Sequence, residues 1–300
     1  MPDYGRPLEF GYFLEPSAER AAEVIALAQR LEALGYDLIG IQDHPYQRRF
    51  LDTFSLLGSI LGRTERIRVF PDVANLPLRL PAMLAKASAS LDVLSGGRFE
   101  LGLGAGTFWD AIEAMGGPRR TPRESVEALA EAIDVIRLVW SGERGLRYDG
   151  DYYRLQGMHS GPLPAHAIGI WLGVLRPKGL ALAGRAADGW VPSLGYVPPA
   201  AAADGHARID EAARDGGRDP SAIRRVYNLN GEITDAGPVS AKDDSTIVGP
   251  PEHWAETLAH FAVELGFDTF LFGGGDPAAS EAFIDEIAPS VRELVAQRRG

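Results

Sequence analysis

The sequence predicts a (β/α)8 TIM barrel with insertion segments. Eight short β-type runs alternate with about eight segments of helical apolar spacing. The 300 residues suit one barrel-sized domain, and no linker-like stretch or short repeat divides them. Polar and glycine-bearing residues follow the ends of several strands, where barrels carry their active sites. A doubly wound open sheet is the runner-up, and residues 1–300 read as a single domain.

The first strand is Leu8 to Leu14. Ser17 reads as the N-cap of a helix from Arg20 to Leu34, with Gly35 as its C-terminal stop. Asp37 to Ile41 is the second strand, and Asp52 opens the helix Thr53 to Leu61. Ile67 to Phe70 is the third strand, and Pro81 to Leu94 is a helix with proline in its first turn. In Ser95-Gly-Gly-Arg-Phe-Glu-Leu-Gly-Leu-Gly-Ala-Gly106 an apolar run, Phe99 to Leu103, lies between glycine clusters, which reads as the fourth strand.

Thr121-Pro-Arg-Glu124 has capping-box spacing, and its helix runs to about Trp140. Gly145 to Gln156 reads as a β-hairpin around Asp149-Gly150. Ile168 to Leu172 and Gly189 to Val191 are the fifth and sixth strands, separated by the helix Pro177 to Ala187. Ala200 to Arg214 is helical, and Arg225 to Ile233 is the seventh strand. Thr234 to Gly249 is polar and reads as an irregular, mobile insertion. A helix from Glu252 to Leu265, the eighth strand Asp268 to Phe272 and a helix from Ala278 to Val295 complete the pattern.

Composition removes several function classes. There is no cysteine, which excludes disulfides, thiolate metal sites and cysteine nucleophiles. The formal net charge of −11 disfavours nonspecific nucleic-acid binding. No apolar run approaches membrane-span length, and the N-terminus lacks a signal-peptide hydrophobic region. A cytoplasmic location is the expectation. No nucleophile elbow, Walker loop or dinucleotide fingerprint in strand–helix context is present.

Four features fall past strand ends. Asp43-His44 follows the second strand, where a histidine can transfer protons near neutral pH. A capping aspartate beside a surface histidine is the plainer alternative. Asp72-Val-Ala-Asn75 follows the third strand. Gly104-Ala-Gly-Thr107 follows the fourth, and glycines there let a ligand approach backbone N–H groups; on glycines alone it is equally a plain strand–loop–helix link. Gly173-Val-Leu-Arg-Pro-Lys178 runs into a helix N-terminus, and its N–H groups with Arg176 suit a phosphate, or else form an exposed turn. Trp109, Trp171 and Trp190 read as core or pocket wall. His159, His166, His206, His253 and His260 lack metal-ligand spacing and read as surface residues.

Taken together, the chain resembles the luciferase-like monooxygenase superfamily. The resembling pieces are Leu34-Gly-Tyr-Asp37, Gln42-Asp-His44, Pro81-Ala-Met-Leu-Ala-Lys86, Ser90 to Arg98, Leu101 to Gly106, Val139-Trp-Ser-Gly142, Tyr148 to Tyr153, Ala186-Ala-Asp-Gly-Trp190 and Ile247 to Glu252. Each is modest alone, but their order and spacing are specific. Superfamily members use FMN or the deazaflavin coenzyme F420, and Asp43-His44 looks most like the F420 branch. The resemblance implies a ring over the barrel mouth, backed by a bulge with a non-prolyl cis peptide at about Asp72 to Ala74. It implies cofactor contacts at Asp43, Val73, Ala74, Gly104, Ala105, Gly106, Thr107, Leu175 and Arg176, with His44 at the reactive face. Dimers are the family expectation.

One position departs from that pattern. The sugar-phosphate dehydrogenases of the branch carry a glutamate where this chain has Thr107. Asp110 or Glu113 would have to stand in, and neither matches the position. The expectation is therefore an F420-dependent oxidoreductase moving a hydride to or from a small organic substrate other than a sugar phosphate. An FMN-dependent monooxygenase and a non-catalytic flavin-binding homologue are the alternatives.

Overall fold

The computed structural model describes residues 3–237, 239–240, 244–273 and 277–300. Among them eight parallel strands form a barrel: Glu9–Leu14, Leu38–Ile41, Arg68–Pro71, Leu101–Gly104, Ile170–Leu172, Gly189–Trp190, Arg224–Leu229 and Thr269–Phe272. Each residue of the second, fifth and eighth strands is buried, as expected when helices cover a parallel sheet. A ninth segment, Ala74–Asn75, lies at one end of the sheet order and Arg68–Pro71 at the other. These are successive pieces of one chain run, separated by a cis peptide between Asp72 and Val73. Val69 bridges Phe99, two residues before the fourth strand, and Ala74 pairs with Leu103, so the sheet closes on itself.

The lumen is plugged by Leu38, Phe70, Trp171, Val191, Val226 and Leu271, with the Phe70 and Trp171 rings 4.9 Å apart. The larger apolar layer lies between strands and helices. The N-terminal end of the barrel is tied by charge. Arg224 reaches Glu9 at 2.7 Å, Arg68 pairs with Glu9, and Glu100 accepts from the Gly169 N–H at 2.6 Å. Conserving the fold at this end leaves the opposite mouth free for chemistry.

Most boundaries follow local signals. Asp52 caps Thr53–Leu61, accepting from the Ser55 N–H at 2.9 Å. Thr121 and Glu124 form a complete capping box on Pro122–Trp140. Several boundaries differ from the sequence expectation. Ser17 bridges Phe50, and Arg20 precedes the first helix, Ala21–Leu34. The run expected as one strand from Arg225 to Ile233 breaks at Asn230, because Gly231–Ile233 pairs with Ile247–Gly249 outside the barrel. The segment expected to be irregular, 234–249, supplies Val239–Ser240 and Ile247–Gly249 to that same small sheet; residues 238 and 241–243 lie outside the described residues. A six-residue helix, Trp109–Ala114, was not anticipated.

The hairpin forms as Leu146–Asp149 against Arg154–Met158. Of the histidines expected at the surface, one is not there. His206 is fully buried against Trp190 and Phe267, with ring centroids 5.0 and 4.6 Å away. His166 is half-buried, its Nδ1 2.7 Å from Asp92. No helix among the described residues is long and apolar enough to cross a membrane.

Candidate active site at the barrel mouth

A cavity of about 1390 Å³ opens at the C-terminal ends of the strands. His44, Asp72, Val73, Thr107, Leu175 and Asn228 all line it. The turns that follow strands two, three, four, five and seven therefore meet at one place.

His44 is half-buried, and Pro45 after it keeps its backbone out of the helical region. Burial pushes the imidazole below its usual pKa, against a smaller upward pull from the Asp43 charge. The ring is therefore neutral at pH 7. The Tyr46 hydroxyl lies 3.1 Å from His44 Nδ1. If Nδ1 accepts that hydroxyl proton, Nε2 carries the ring hydrogen. Burial, and then the Asp43 charge, push the Tyr46 phenol up to about 12, so it stays a donor. Phe108 completes an aromatic rim, 5.4 Å from His44 and 5.9 Å from Tyr46.

Asp43 does not face the cavity. Its carboxylate is buried and takes three donors: Arg79 Nε at 2.7 Å, Arg79 Nη2 at 2.8 Å and the Asn75 N–H at 2.8 Å. Arg79 also reaches Asp52 at 2.6 Å and stacks over Phe54 at 4.6 Å. Asp43 thus ties the exit of strand two to the segment after the third strand. It positions its neighbour His44 and the Asp72–Asn75 turn.

The cis peptide falls between Asp72 and Val73, inside the stretch the resemblance indicates. The two side chains leave it in opposite directions. Val73 packs toward strands four and five: a Cβ at Gly104 would lie 2.6 Å from Val73 Cγ2, and one at Gly173 2.8 Å. Glycine at both positions is what gives that valine room. Asp72 turns toward strand two, with Oδ2 3.0 Å from where a Gly40 Cβ would stand.

Ala74, Gly104, Ala105, Gly106 and Arg176 do not line the cavity. Gly106 has φ +93° and a Cβ there would strike Pro77 at 2.7 Å, so the bend into Thr107 demands glycine. Arg176 is exposed, immediately before the helix Pro177–Ala186, whose first turn has no side-chain cap. Asp110 and Glu113 do not replace the missing glutamate: both pair with Arg119 at the surface, outside the cavity. Glu15 does line the cavity and stands 3.9 Å from Arg20.

Sequence reasoning missed Asn228, Tyr46 and the orientation of Asp72. A polar residue at the mouth end of the otherwise apolar Val226–Leu229 run was the available signal for Asn228. Asp72 Oδ2 and Asn228 Oδ1 are buried and have no hydrogen-bond partner among the described residues. Such atoms cost free energy unless a ligand or water completes them.

The surroundings suit a planar heteroaromatic group with polar edges. Val73, Phe108 and Leu175 offer apolar faces, and the orphaned oxygens mark a polar floor beside them.

Comparison with known proteins agrees with this architecture. An F420-dependent glucose-6-phosphate dehydrogenase of Nakamurella multipartita is 30% identical over 198 residues, covering 64% of this chain and 58% of that protein. The protein of the same name from Mycobacterium tuberculosis is 33% identical over 198 residues, covering 63% and 58%. The chain thus spans 58% of the length of these curated relatives. A solved F420-dependent secondary alcohol dehydrogenase, in complex with an F420–acetone adduct, superposes with a TM-score of 0.84. It is 19% identical, with 96% of this chain and all of that chain covered, and at that identity shows the fold. The sequence model of the luciferase-like monooxygenases matches residues 8–232, three quarters of the chain, and the chain belongs to that family.

Proposed function

We propose that the protein is an F420-dependent oxidoreductase that transfers a hydride between the deazaflavin and a small organic substrate. The observation that carries this is the agreement between the curated relatives, named as F420-dependent dehydrogenases, and the mouth geometry. F420 supplies the hydride acceptor or donor when bound. The chain supplies position and electrostatics. Val73 presents an apolar surface to the ring, fixed by Gly104 and Gly173. The backbone at Gly106-Thr107 and Leu175-Arg176 holds the phosphate, with the Arg176 guanidinium beside it. Ala74, Gly104 and Ala105 shape the wall behind. Asp43 acts through the Asn75 N–H and Arg79. His44 acts at the substrate, as proton carrier or as hydrogen-bond donor from Nε2.

Thr107 carries no carboxyl group, so the sugar-phosphate chemistry in the relatives' names is not carried over. We infer with this reading that residues 1–300 work as one domain, in a cytoplasmic homodimer that binds neither nucleic acid nor membrane. The absence of cysteine, the net charge of −11 and the family resemblance support that organisation.

A fluorescence titration with F420 and with FMN tests the assignment. F420 binds more tightly, and its affinity falls with added salt, because its anionic tail meets exposed cations such as Arg176 and Lys178. Equal or tighter binding of FMN rejects F420 and favours the monooxygenase reading.

A further inference from the structure

Asp72 and Asn228 come from strands three and seven and meet on the floor of the mouth. Both are more than nine-tenths buried, at 8% and 6% exposure, and both line the cavity. Each ends in an oxygen without a partner among the described residues. The phosphate loops and Val73 occupy the half of the mouth formed by strands four and five. Asp72 and Asn228 occupy the other half, so a ring lying on Val73 leaves them for the substrate. Asn228 is itself braced, its Nδ2 3.3 Å from Ser193 Oγ.

We propose that Asp72, held by Asn228, forms a subsite for the oxygen of a hydroxyl or carbonyl substrate and is the group that exchanges a proton with it. This rests on the hydride-transfer reading above and adds a residue and a substrate class to it. In the oxidising direction the carbinol C–H bond breaks and both its electrons leave with the hydrogen as hydride to the deazaflavin. The O–H bond breaks, its proton passes to the Asp72 carboxylate, and the C=O bond forms. In the reducing direction the Asp72 carboxylic acid returns that proton to the oxygen as hydride reaches the carbon. The carboxyl absent at position 107 is thereby supplied from a different strand.

The electrostatics agree with this geometry. Burial pushes the Asp72 carboxyl up to about 7, against the opposing hydrogen bond from Asn228. Phe70 and Leu271 crowd the same point beside Gly40 that Asp72 Oδ2 approaches, and Asn228 is the polar neighbour that acts on the carboxyl. The ionisable groups elsewhere on the cavity wall are His44, Glu15, Glu23, Tyr12, Tyr196, Arg20 and Arg30.

Cyclohexanone serves as the probe, titrated into the protein both free and loaded with oxidised F420. Its carbonyl stretch is followed by isotope-edited infrared spectroscopy. The wild-type protein lowers the stretch at acid pH and releases it with a midpoint near pH 7, as the acid form of Asp72 is lost. Asp72→Asn shows no pH-dependent shift, keeps F420 affinity within about threefold, and lowers turnover of small secondary alcohols with F420 by roughly 10²-fold. Asn228→Ala raises the midpoint, since it removes a hydrogen bond that favours the carboxylate, and this variant decides the matter if Asp72→Asn does not fold. The proposal is overturned if the wild-type protein gives no pH-dependent shift, if Asp72→Asn turns over normally, or if that variant loses F420 binding. A pH-dependent ketone shift in a protein that fails to bind F420 leaves the subsite standing and removes the F420 reading instead.

Discussion

His44 is the residue where sequence and structure agree most directly. It follows a strand that points at the mouth, and it lines the cavity. Because burial lowers its pKa, it is neutral across the range where most enzymes work, and a role as base fades only as pH falls through that lowered value. If it moves a proton, His44→Asn lowers kcat by about 10²–10⁴-fold. F420 affinity changes little, since the loops proposed to hold its phosphate are elsewhere; a variant with near-normal kcat makes His44 a wall residue. Tyr46→Phe removes the 3.1 Å contact to Nδ1 and frees the tautomer. It should lower kcat several-fold and leave the cofactor dissociation constant unchanged, which steady-state kinetics beside a titration will separate. His44 was legible because its neighbours mark a strand end. Asp72 was legible as a position past a strand end, but its meeting with Asn228 was not, because the fold joins two distant strands there. Asp43 shows the converse: its place in the motif was visible, but its partner Arg79 was 36 residues away.

At the scale of elements, the barrel strands and their helices were legible wherever a cap or a turn residue marked a boundary. The Thr121–Glu124 box and the Asp52 cap are examples. Thr121→Ala removes one half of the box and should cost about 1 kcal/mol, read from the urea midpoint at constant slope. The break at Asn230 was not legible. An apolar-rich run continues through it, and only the partner strand Ile247–Gly249 pulls the chain out of the barrel. The Asp43–Arg79 tie joins two such elements. Asp43 is fully buried and Arg79 one-fifth exposed, so Asp43→Ala leaves a cation and the Asn75 N–H without their acceptor. The loss should be about 3 kcal/mol, at the lower end for a broken buried pair. It should also misplace His44, lowering kcat together with stability. A variant as stable as the wild type would remove Asp43 from its positioning role.

Across the whole molecule, charge is distributed unevenly between the barrel's two ends. Carboxylates at the N-terminal end face arginines: Glu9 meets Arg68 and Arg224, and Asp268 meets Arg224 at 3.4 Å. At the mouth, no arginine among the described residues acts on Asp72, and its acid form is favoured up to about pH 7. That difference is measurable in global stability. An unfolded aspartate ionises near pH 4, whereas Asp72 in the cofactor-free fold holds its proton until about pH 7. Between those values the native state binds more protons than the unfolded state, so this group's contribution to stability falls as pH rises. It is fully present below the unfolded pKa and lost by the folded one. Three units of displacement correspond to about 4 kcal/mol, an order-of-magnitude figure for so buried a group. Other buried carboxyls, including Glu100 and Asp268, are also pushed up by burial and add slopes of their own. The difference between the wild type and Asp72→Asn cancels them. Urea unfolding of the two proteins from about pH 4 to about pH 8 should show the variant gaining on the wild type by up to about 4 kcal/mol, with the gain levelling near pH 7. A difference that stays constant across that range would mean that Asp72 ionises normally in the fold, and that the mouth carries a solvated carboxylate instead of a buried acid.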